Sequence, residues 1–454
     1  MIAVTAYAGK KVGVFGLARS GLAAVAALAA GGARVLPWDD KAEARGMSSV
    51  PPVDLYEQDF SELAALVVSP GVPFTPPKAH PLVAKAGAAN LSVIGDIELF
   101  ALARKALLRH RFAAVTGTNG KSTTTALLAH ALNACGIKAV GAGNIGVPAL
   151  GIDPLPAGGV YVMELSSFQL DLTRSLRPEI AILLNISPDH LDRHGTMENY
   201  VAAKRRIFGL QDAKQVAVIG MDDDYGRVFA RELKQKVIPI SCVRAVEGGV
   251  FVLDGILFDA MAGEAINMGP IGNNRSLRGQ HNGQNAAAVY AAAKELGAPP
   301  AAILASFRTF EGLPHRLEIV GEKDGVLFIN DSKASNTGSA LRSLEAYDNI
   351  HWIVGGLFKE ASLEMFAPVL PKVRQAYTIG KDDAVFVQYL EGKVPLARCG
   401  TLHAAIEQAA AAAKKGDVVL LAPASASFDQ FRNYEHRGET FRALAQSLIG
   451  GGNA

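Results

Sequence analysis

The segment AVTGTNGKST (residues 114–123) places glycines, an asparagine and a lysine between an apolar run and the Ala/Leu-rich segment TALLAHAL. The pattern predicts a turn from a strand into a helix, where the first backbone N–H groups lack partners and the helix dipole favours an anion. Gly117 and Gly120 let the backbone approach phosphate oxygens, and Lys121 supplies a positive charge. The segment therefore predicts a loop that binds a nucleoside triphosphate.

The residues after the lysine, Ser122 and Thr123, carry hydroxyl groups suited to ligate the Mg²⁺ ion of such a nucleotide. The general pattern G-x-x-x-x-G-K-[ST] has its first glycine at position 115, where this chain has Val115, so the glycine is displaced to Gly117. An ordinary glycine-rich turn with a solvated lysine is the alternative.

Two buried-strand patterns downstream, GVYVMELSSFQL and EIAILLNISPDHLDRHG, are predicted to end at Glu164 and just before His190. Because the carboxyl ends of parallel strands meet at one edge of a sheet, we expect both side chains beside the Lys121 loop. A carboxylate and an imidazole there are suited to hold Mg²⁺. A lone histidine after a strand is often structural, but the polar turn SPDHLDRH has no apolar face to bury it.

Strand-and-loop patterns recur after FEGLPHRLEIV, where Pro314 suggests a domain junction: VLFINDSKASNTGS, IHWIVGGLFKEAS, AYTIGKDD and DVVLLAPASASFDQF. Each predicted strand ends in a polar loop, and Arg316 is suited to neutralise a phosphate. The loop residues suited to bind an acidic small molecule are Asp331, Lys333, Ser335, Lys359 and Ser427. The Ala-rich stretch near residues 404–413 predicts a helix.

The N-terminal segment KKVGVFGLARSGLAAVAALAAGGARVLPWDD predicts a βαβ unit that ends at Asp39 and Asp40. Its turn has Ala18 where the dinucleotide fingerprint has the glycine that admits pyrophosphate. A Rossmann-like domain whose glycines only allow tight packing and a site for a nucleotide diphosphate or base are therefore both open.

Two predicted helices carry polar residues with open roles. The helix containing MENYVAAKRRIF carries Lys204 and the arginines Arg205 and Arg206, which alone read as a solvated face. The helix that begins in LRGQHNGQN has His281, Asn282 and Asn285 at its start, where neutral amides serve as caps.

The composition excludes several classes of protein. A chain of 454 residues is longer than a single hydrophobic core usually supports, so two or three domains are expected. Hydrophobic residues make up 49%, and Lys+Arg 45 against Asp+Glu 43 leaves no positive excess for nucleic acid. The three cysteines (Cys135, Cys242 and Cys399) have neither disulfide nor metal spacing, and no apolar run is long enough to span a bilayer. These features favour a soluble cytoplasmic protein.

The motifs resemble those of the Mur ligases of peptidoglycan synthesis, which share the loop GTNGKS/T. GDIELF, ELSSFQL, GLPHR, NDSKASN and PASASFDQF occur in the family's order, and the resemblance covers essentially the whole chain. It implies an α/β protein of three domains. These are a Rossmann-like domain for a uridine-nucleotide substrate (1–109), a central ATP-binding domain with a P-loop and a parallel sheet (110–313), and a Rossmann-like domain for an amino acid (314–454).

The resemblance also assigns residues to the ligands. The catalytic residues it implies are Lys121, His190 and Lys204. The ATP contacts it implies are Gly117, Thr118, Asn119, Gly120, Lys121, Ser122, Thr123, Asn285, Arg316 and Asp331. Two Mg²⁺ ions are implied, with Ser122, Glu164, His190 and a carbamylated Lys204 as ligands. The uridine-nucleotide contacts are Ser20, Asp39, Asp40, Ser69, Gly71 and Asn144. The amino-acid contacts are Lys333, Ser335, Lys359, Ser427 and Phe428.

The resemblance implies ATP-dependent ligation of D-glutamate to UDP-N-acetylmuramoyl-L-alanine through an acyl phosphate, carried out by a cytoplasmic monomer with no nucleic-acid or membrane partner. The nearer alternative is another amide ligase with this loop, such as a folylpolyglutamate synthase or a Mur ligase that adds a different amino acid. The more distant alternative is a non-catalytic nucleotide-binding regulator.

Overall fold

The computed structural model describes residues 1–75, 78–272, 274–277, 279–360 and 362–450. It divides into two compact units: a first unit of Met1–Ile271 with Gln284–Phe307, and a second unit of Gly272–Gly283 with Arg308–Ala454. Over the described residues, the strands form three sheets, two in the first unit and one in the second. No helix in these ranges has the length and apolar character needed to cross a membrane.

The N-terminal sheet of the first unit is parallel and has the strand order β2-β1-β3-β4. Its strands are β1 (Lys11–Phe15), β2 (Arg34–Trp38), β3 (Ala65–Val68) and β4 (Val93–Ile94). Its helices are α1 (Arg19–Ala30), α2 (Ala42–Arg45), α3 (Pro81–Ala88) and α4 (Asp96–Ala103). A Cβ at Gly21 would lie 1.8 Å from the Gly16 carbonyl oxygen, so this glycine allows α1 to pack closely against the end of β1.

The central sheet has the order β13-β12-β11-β10-β9-β8-β5-β7-β6. Its strands are β5 (Arg111–Thr116), β6 (Ala139–Gly143), β7 (Val160–Glu164), β8 (Ile180–Leu183), β9 (Val216–Gly220), β10 (Lys236–Ser241), β11 (Val250–Leu253), β12 (Ile256–Asp259) and β13 (Ile266–Pro270). The helices of this part of the chain are α5 (Lys121–Ala134), α6 (Ser167–Asp171), α7 (Leu191–His194), α8 (Met197–Arg205), α9 (Asp224–Glu232), α10 (Gln280–Glu295) and α11 (Pro300–Arg308).

The central sheet is parallel, as expected, except at one edge. β12 runs antiparallel to both β11 and β13. Asp254 and Gly255 join β11 to β12 with φ angles of 49° and 74°. Two consecutive positive φ angles match the strand twist of a two-residue hairpin, and Asp-Gly is a strong sequence signal for one. This dipeptide lies in a region where the strand pattern is otherwise weak.

The predicted end of the strand before His190 is wrong. β8 ends at Leu183, and residues 184–189 lead from it to His190. The apolar pattern continues past the strand because Leu184 and Ile186 are buried although they lie outside β8. The spacing of the apolar residues in this segment therefore reflects the burial of their side chains and does not mark where the strand ends.

The sheet of the second unit has the order β14-β15-β19-β16-β17-β18, in which only β14 is antiparallel to its neighbour among the described strands. Its strands are β14 (Glu318–Lys323), β15 (Val326–Asn330), β16 (Ile350–Gly355), β17 (Val373–Ile379), β18 (Leu396–Gly400) and β19 (Val418–Leu421). Its helices are α12 (Thr337–Glu345), α13 (Asp383–Leu390), α14 (Leu402–Ala412) and α15 (Tyr434–Gly450). α14 confirms the helix predicted from the Ala-rich stretch.

Alternating strand residues of this sheet face two apolar clusters. Ile329 and Trp352 lie in one cluster, and Phe328 and Ile353 lie in the other. The sheet is thus covered on both faces, and its polar loops lie at the carboxyl edge of its parallel strands. Short 3₁₀ helices complete the chain at Thr5–Tyr7, Phe60–Glu62, Arg104–Ala106, Arg206–Phe208, Arg275–Leu277 and Glu364–Lys372.

Candidate active site

The predicted strand-to-helix turn is confirmed. β5 ends at Thr116 and α5 begins at Lys121, and the glycines between them have φ angles of 153° at Gly117 and 84° at Gly120. A Cβ at Gly120 would lie 2.4 Å from the Asn285 side-chain oxygen, so only glycine fits there without movement. The glycines therefore allow the tight turn that leads into the N-terminus of α5, the kind of position at which anions bind.

Two lysines converge on this loop. The Lys121 Nζ donates to the carbonyls of Gly117 at 2.9 Å and Thr118 at 2.7 Å, and the Lys204 Nζ donates to the same Gly117 carbonyl at 2.7 Å. Two ammonium groups on one carbonyl repel each other unless an anion or a lost proton compensates. The loop therefore brings two lysine amines to one carbonyl beside the N-terminus of α5.

Lys204 is buried, with 1% of its surface exposed, so the solvated-face interpretation is wrong for this residue. It holds for its neighbours Arg205 and Arg206, which are exposed. The Lys204 Nζ also lies 4.6 Å from the centroid of the Tyr200 ring. Burial, followed by repulsion from Lys121, holds the pKa of the Lys204 ammonium well below its usual range.

Glu164 is the last residue of β7, as predicted, and only 2% of it is exposed. Its Oε1 accepts a hydrogen bond of 2.8 Å from the Asn144 Nδ2. Its Oε2 is buried and has no hydrogen-bond partner in the described part of the chain. A buried carboxylate oxygen in this condition is costly unless a ligand satisfies it, and hard cations such as Mg²⁺ prefer such oxygens.

Ser122, in the first turn of α5, is 3% exposed. Its hydroxyl and the Glu164 carboxylate are therefore both donors of the kind that Mg²⁺ takes. Within the described ranges, no group of three or more His, Cys, Asp and Glu side chains is placed to hold a metal ion.

His190 stands immediately before α7 with a φ of 53°, and 49% of its side chain is exposed. Its ring centroid lies 4.9 Å from that of Phe168. The pKa of His190 is lowered by desolvation first and by the charges of Lys121 and Lys204, whereas Asp189 acts in the opposite direction. His190 therefore lies in the field of the two lysines, which favours the neutral imidazole, the form that ligates metals.

Asn185 contributes to the loop and was not predicted. Its Oδ1 accepts from the Asn119 N–H at 2.9 Å, its carbonyl accepts from the Thr118 N–H at 2.8 Å, and its Nδ2 donates to the Gln284 Oε1 at 3.1 Å. Asn185 thus holds two successive loop amides. The only sequence signal was an asparagine in the polar segment that follows β8.

The predicted ATP contact Asn285 lies in the second turn of α10, so its role is not that of a helix cap. It is 2% exposed, and its Oδ1 accepts from the Thr124 hydroxyl at 3.1 Å. The asparagine ties α10 to α5 directly behind the phosphate loop. Thr118 is also buried, and its hydroxyl lies 3.0 Å from that of Tyr200.

The predicted uridine-nucleotide contacts mostly follow the strands of the N-terminal sheet. The Ser69 hydroxyl donates to the Gly16 carbonyl at 2.6 Å, and an Asp39 oxygen accepts from the Leu17 N–H at 2.7 Å. Asp40 accepts from the Tyr56 hydroxyl at 3.1 Å. The other members of this set are Ser20 in α1, the exposed Gly71 after β3, and Asn144, which lies instead beside Glu164.

In the second unit, backbone hydrogen bonds join three loops. The Ala424 N–H donates to the Ala334 carbonyl at 2.9 Å, and Leu357 and Ala426 exchange bonds of 2.9 and 3.0 Å. These bonds bring together the loops after β15, β16 and β19. The predicted amino-acid contacts on these three loops are Lys333, Ser335, Lys359, Ser427 and Phe428.

The side chains on these loops differ in exposure. Ser427 is 2% exposed whereas Phe428 is 66% exposed, and Ser335 and Lys359 are exposed. The Lys333 Nζ lies 3.6 Å from the centroid of the Tyr434 ring.

The predicted ATP contacts of the second unit, Asp331 and Arg316, interact electrostatically with each other. Burial raises the pKa of Asp331 to about 6, against the hydrogen bond from the Ser343 hydroxyl and the charge of Arg316. The protonation of the Asp331 carboxyl therefore responds to any cation or hydrogen-bond donor that approaches it.

Comparison with known proteins identifies the family. A model described as the Mur ligase middle domain matches residues 115–293, and one described as the Mur ligase glutamate ligase domain matches residues 315–425. A UDP-N-acetylmuramoylalanine--D-glutamate ligase from Caulobacter sp. (strain K31) is 47% identical over 99% of this chain and 98% of its own. The chain belongs to the Mur ligase family.

Two further proteins resemble this Mur ligase. The ligase of the same name from Phenylobacterium zucineum (strain HLK1) is 46% identical and aligns over 99% of both chains. Among solved structures, a UDP-N-acetylmuramate-alanine ligase from Thermotoga maritima superposes with a TM-score of 0.62 at 17% identity, covering 97% of this chain and 99% of its own. That structure supports the fold alone.

The Mur ligases are ATP-dependent enzymes that form amide bonds, and this chain is one of them. Lys121, Glu164, His190 and Lys204 all lie in the part matched by the middle-domain model. The loops after β15 and β16 lie in the part matched by the glutamate ligase model.

Proposed function

We propose that this Mur ligase joins D-glutamate to UDP-N-acetylmuramoyl-L-alanine with hydrolysis of ATP to ADP and phosphate, a cytoplasmic step of peptidoglycan synthesis. The names and full-length similarity of its relatives support the substrates. The structural observation that carries the proposal is the convergence of Lys121 and Lys204 on the Gly117 carbonyl, beside the N-terminus of α5.

The proposed reaction has two steps. The L-alanyl carboxylate attacks the γ-phosphorus of ATP, an acyl phosphate forms and ADP leaves. The amine of D-glutamate then attacks the acyl carbon, loses a proton and expels phosphate, which leaves an amide. Lys121 and the N–H groups of the loop stabilise the negative charge on the transferred phosphoryl group, so the chain contributes positioning and electrostatics.

We propose two Mg²⁺ ions with Ser122, Glu164, His190 and a carbamylated Lys204 as protein ligands. The unpartnered, buried Glu164 oxygen and the buried Ser122 hydroxyl support a cation there. Mg²⁺ neutralises charge on phosphate oxygens when bound.

The carbamate proposal rests on the environment of Lys204. Its amine is enclosed and lies beside a second lysine, which favours the neutral form that adds CO₂. The ammonium first loses a proton, and the neutral amine then adds CO₂ and loses a second proton, which turns a repelling cation into an anionic oxygen ligand.

We propose three functional segments: residues 1–109 bind the uridine nucleotide, residues 110–313 bind ATP, and residues 314–454 bind D-glutamate and contribute Arg316 and Asp331 to ATP. One sheet falls within each segment, which supports this division. The protein is proposed to act as a monomer without membrane or nucleic-acid partners. Closing the segments around the acyl phosphate would exclude water.

Amino-acid-dependent phosphate release tests the function. Purified protein with ATP, Mg²⁺ and UDP-N-acetylmuramoyl-L-alanine is assayed with D-glutamate, L-glutamate, L-lysine or meso-diaminopimelate. Release is expected with D-glutamate alone, and hydroxylamine is expected to trap a hydroxamate when the amino acid is omitted. Release with a different amino acid would favour another Mur ligase activity. Nucleotide binding without any release would favour a regulator.

A further inference from the structure

The four-residue helix α7 connects the two sheets of the first unit through Arg193. The Arg193 guanidinium donates to three successive carbonyls in the loop after β3. Its Nη1 reaches Gly71 at 3.3 Å, and its Nη2 reaches Pro70 at 3.4 Å and, more closely, Val72. This loop begins at Ser69, so with Gly71 it includes two of the proposed uridine-nucleotide contacts.

Aromatic rings fix the guanidinium. Its central carbon lies 5.3 Å from the centroid of Phe74, which belongs to the loop, and 5.0 Å from that of Phe168, which belongs to α6. Phe168 also contacts the ring of His190 at a centroid distance of 4.9 Å. One arginine therefore contacts both the loop and the aromatic ring on which the proposed metal ligand rests.

The same helix carries a second link. The Lys78 Nζ donates to the Asp192 carbonyl at 3.2 Å, so the chain beyond the loop also contacts α7. α7 is only four residues long, and His190 stands immediately before it in a left-handed conformation. A displacement of Arg193 would therefore shift His190, since little intervening structure is available to absorb it.

We propose that Arg193 is a positioning residue that couples the nucleotide-sugar loop to the His190 side of the ATP site, so that each substrate tightens binding of the other. The inference rests on the proposed function, because it takes the loop as the nucleotide-sugar contact and His190 as a metal ligand. The planar fork of an arginine suits several carbonyl acceptors at once, whereas a lysine presents a single point of charge.

The coupling is measured by binding alone. Calorimetry gives the Kd of UDP-N-acetylmuramoyl-L-alanine with and without Mg²⁺ and a non-hydrolysable ATP analogue. The wild-type protein is expected to bind the nucleotide sugar about 5-fold or more tightly with the analogue present, the lower end of common allosteric couplings. In Arg193→Ala the same ratio is expected to fall below about 2-fold, and the reciprocal ratio for the analogue to fall equally.

Arg174→Ala is the matched control. The Arg174 side chain also spans the two sheets, donating to the Ser92 hydroxyl at 3.5 Å, and this hydrogen bond goes to neither the loop nor α7. Its coupling ratio is expected to equal that of the wild type. Arg193→Lys is expected to keep an intermediate ratio and covers the case in which Arg193→Ala fails to fold. Millimolar guanidinium is expected to restore part of the coupling to Arg193→Ala but not to change Arg174→Ala.

Wild-type coupling retained by Arg193→Ala and Arg193→Lys, or its absence from the wild type, overturns the inference. Equal loss in Arg174→Ala overturns it too, because the effect would then be a general loosening of the two sheets. Phosphate release by the wild type with D-glutamate decides the proposed function separately. An active ligase without Arg193-dependent coupling rejects only this inference, whereas a protein that binds no nucleotide sugar rejects the function itself.

Discussion

The two units present their candidate residues in opposite ways. Around the phosphate loop of the first unit, several functional side chains are buried and held by other protein groups: Lys204 is 1% exposed, Asn285 2% and Ser122 3%. Lys121 is half-buried, and 49% of the His190 side chain is exposed. On the loops of the second unit, Ser335 and Lys359 are exposed and Phe428 is 66% exposed, although Ser427 is buried. Protein contacts thus already hold side chains of the first site in place. The amino-acid contacts of the second unit instead form an exposed rim that includes one buried hydroxyl, that of Ser427.

This difference separates two kinds of contribution. A buried, preorganised group stabilises the charge that develops during phosphoryl transfer, so its loss lowers kcat whatever the amino acid. A group on an exposed rim mainly determines which molecule binds there, so its loss raises the KM of that one substrate. Variants in the two units are therefore expected to have different kinetic signatures.

The largest effect is expected from Lys121→Ala. Removing a charge aimed at the transferred phosphoryl group lowers kcat by about 10²–10³-fold. The circular dichroism spectrum and thermal midpoint are expected to match those of the wild type, because the side chain is half-buried and donates to carbonyls of its own loop rather than packing in an apolar cluster. Phosphate release at the wild-type rate would contradict the role of the lysine.

Lys204→Ala is expected to lose activity by at least about 10–100-fold, the range found for groups that support metal ligands. Short-chain carboxylic acids are expected to restore part of it by occupying the vacated anionic position. The control is Arg205→Ala, which removes the exposed cation next in the chain and is expected to stay active. Full activity of Lys204→Ala without added acid would rule out the carbamate.

Ser427→Ala tests the rim. The loss of a hydroxyl that binds a charged carboxylate costs about 1.5–3 kcal/mol, which raises the KM for D-glutamate by about 10–100-fold. The KM for ATP is expected to stay within about 2-fold. Ser447→Ala removes an exposed hydroxyl on α15, outside the three joined loops, and serves as the control. Equal rises in the KM of all three substrates would point to misfolding of the unit.

The smallest effect is a pH dependence shared by both units. Burial raises the pKa of Asp96 in the first unit and of Asp331 in the second to about 6 from 3.8. The native state then binds these protons more tightly than the unfolded state, so each carboxyl lowers stability as the pH rises from about 4 through 6. At pH 8 the cost is at most about 3 kcal/mol for each carboxyl.

Urea unfolding checks this prediction. Asp96→Asn and Asp331→Asn are each expected to be more stable than the wild type at pH 8, with the gain vanishing near pH 4. Asp331→Asn is expected to weaken ATP binding and Asp96→Asn to leave it unchanged. A gain independent of pH would show that desolvation of the carboxylate is not its cause.

Local patterns predicted the parts of the site that depend on neighbours in the sequence. The loop between β5 and α5 and the position of Glu164 at the end of β7 follow from glycines and strand periodicity. The burial of Lys204 does not, because its partner carbonyl, Gly117, lies 87 residues away. The two arginines that follow Lys204 in the sequence favoured the prediction of a solvent-exposed position.

The same limit explains the residues that were missed. Asn185 holds a loop 66 residues distant, and Arg193 holds one more than 120 residues distant. The hydrogen-bond partners described for these two side chains all lie far away in the sequence. The antiparallel edge of the central sheet was predictable from Asp254-Gly255, but the strands beside it are short and weakly patterned.

The contact between Thr124 and Asn285 joins residues 161 positions apart. A ribosome that adds about 5–20 residues per second needs about 8–30 s to pass from one to the other. During that interval the nascent chain carries the glycine loop and α5, but the helix that closes the loop from behind has not been made. The contact between α5 and α10 therefore forms only after the central sheet has been synthesised. An unfinished chain lacks this part of the proposed nucleotide site.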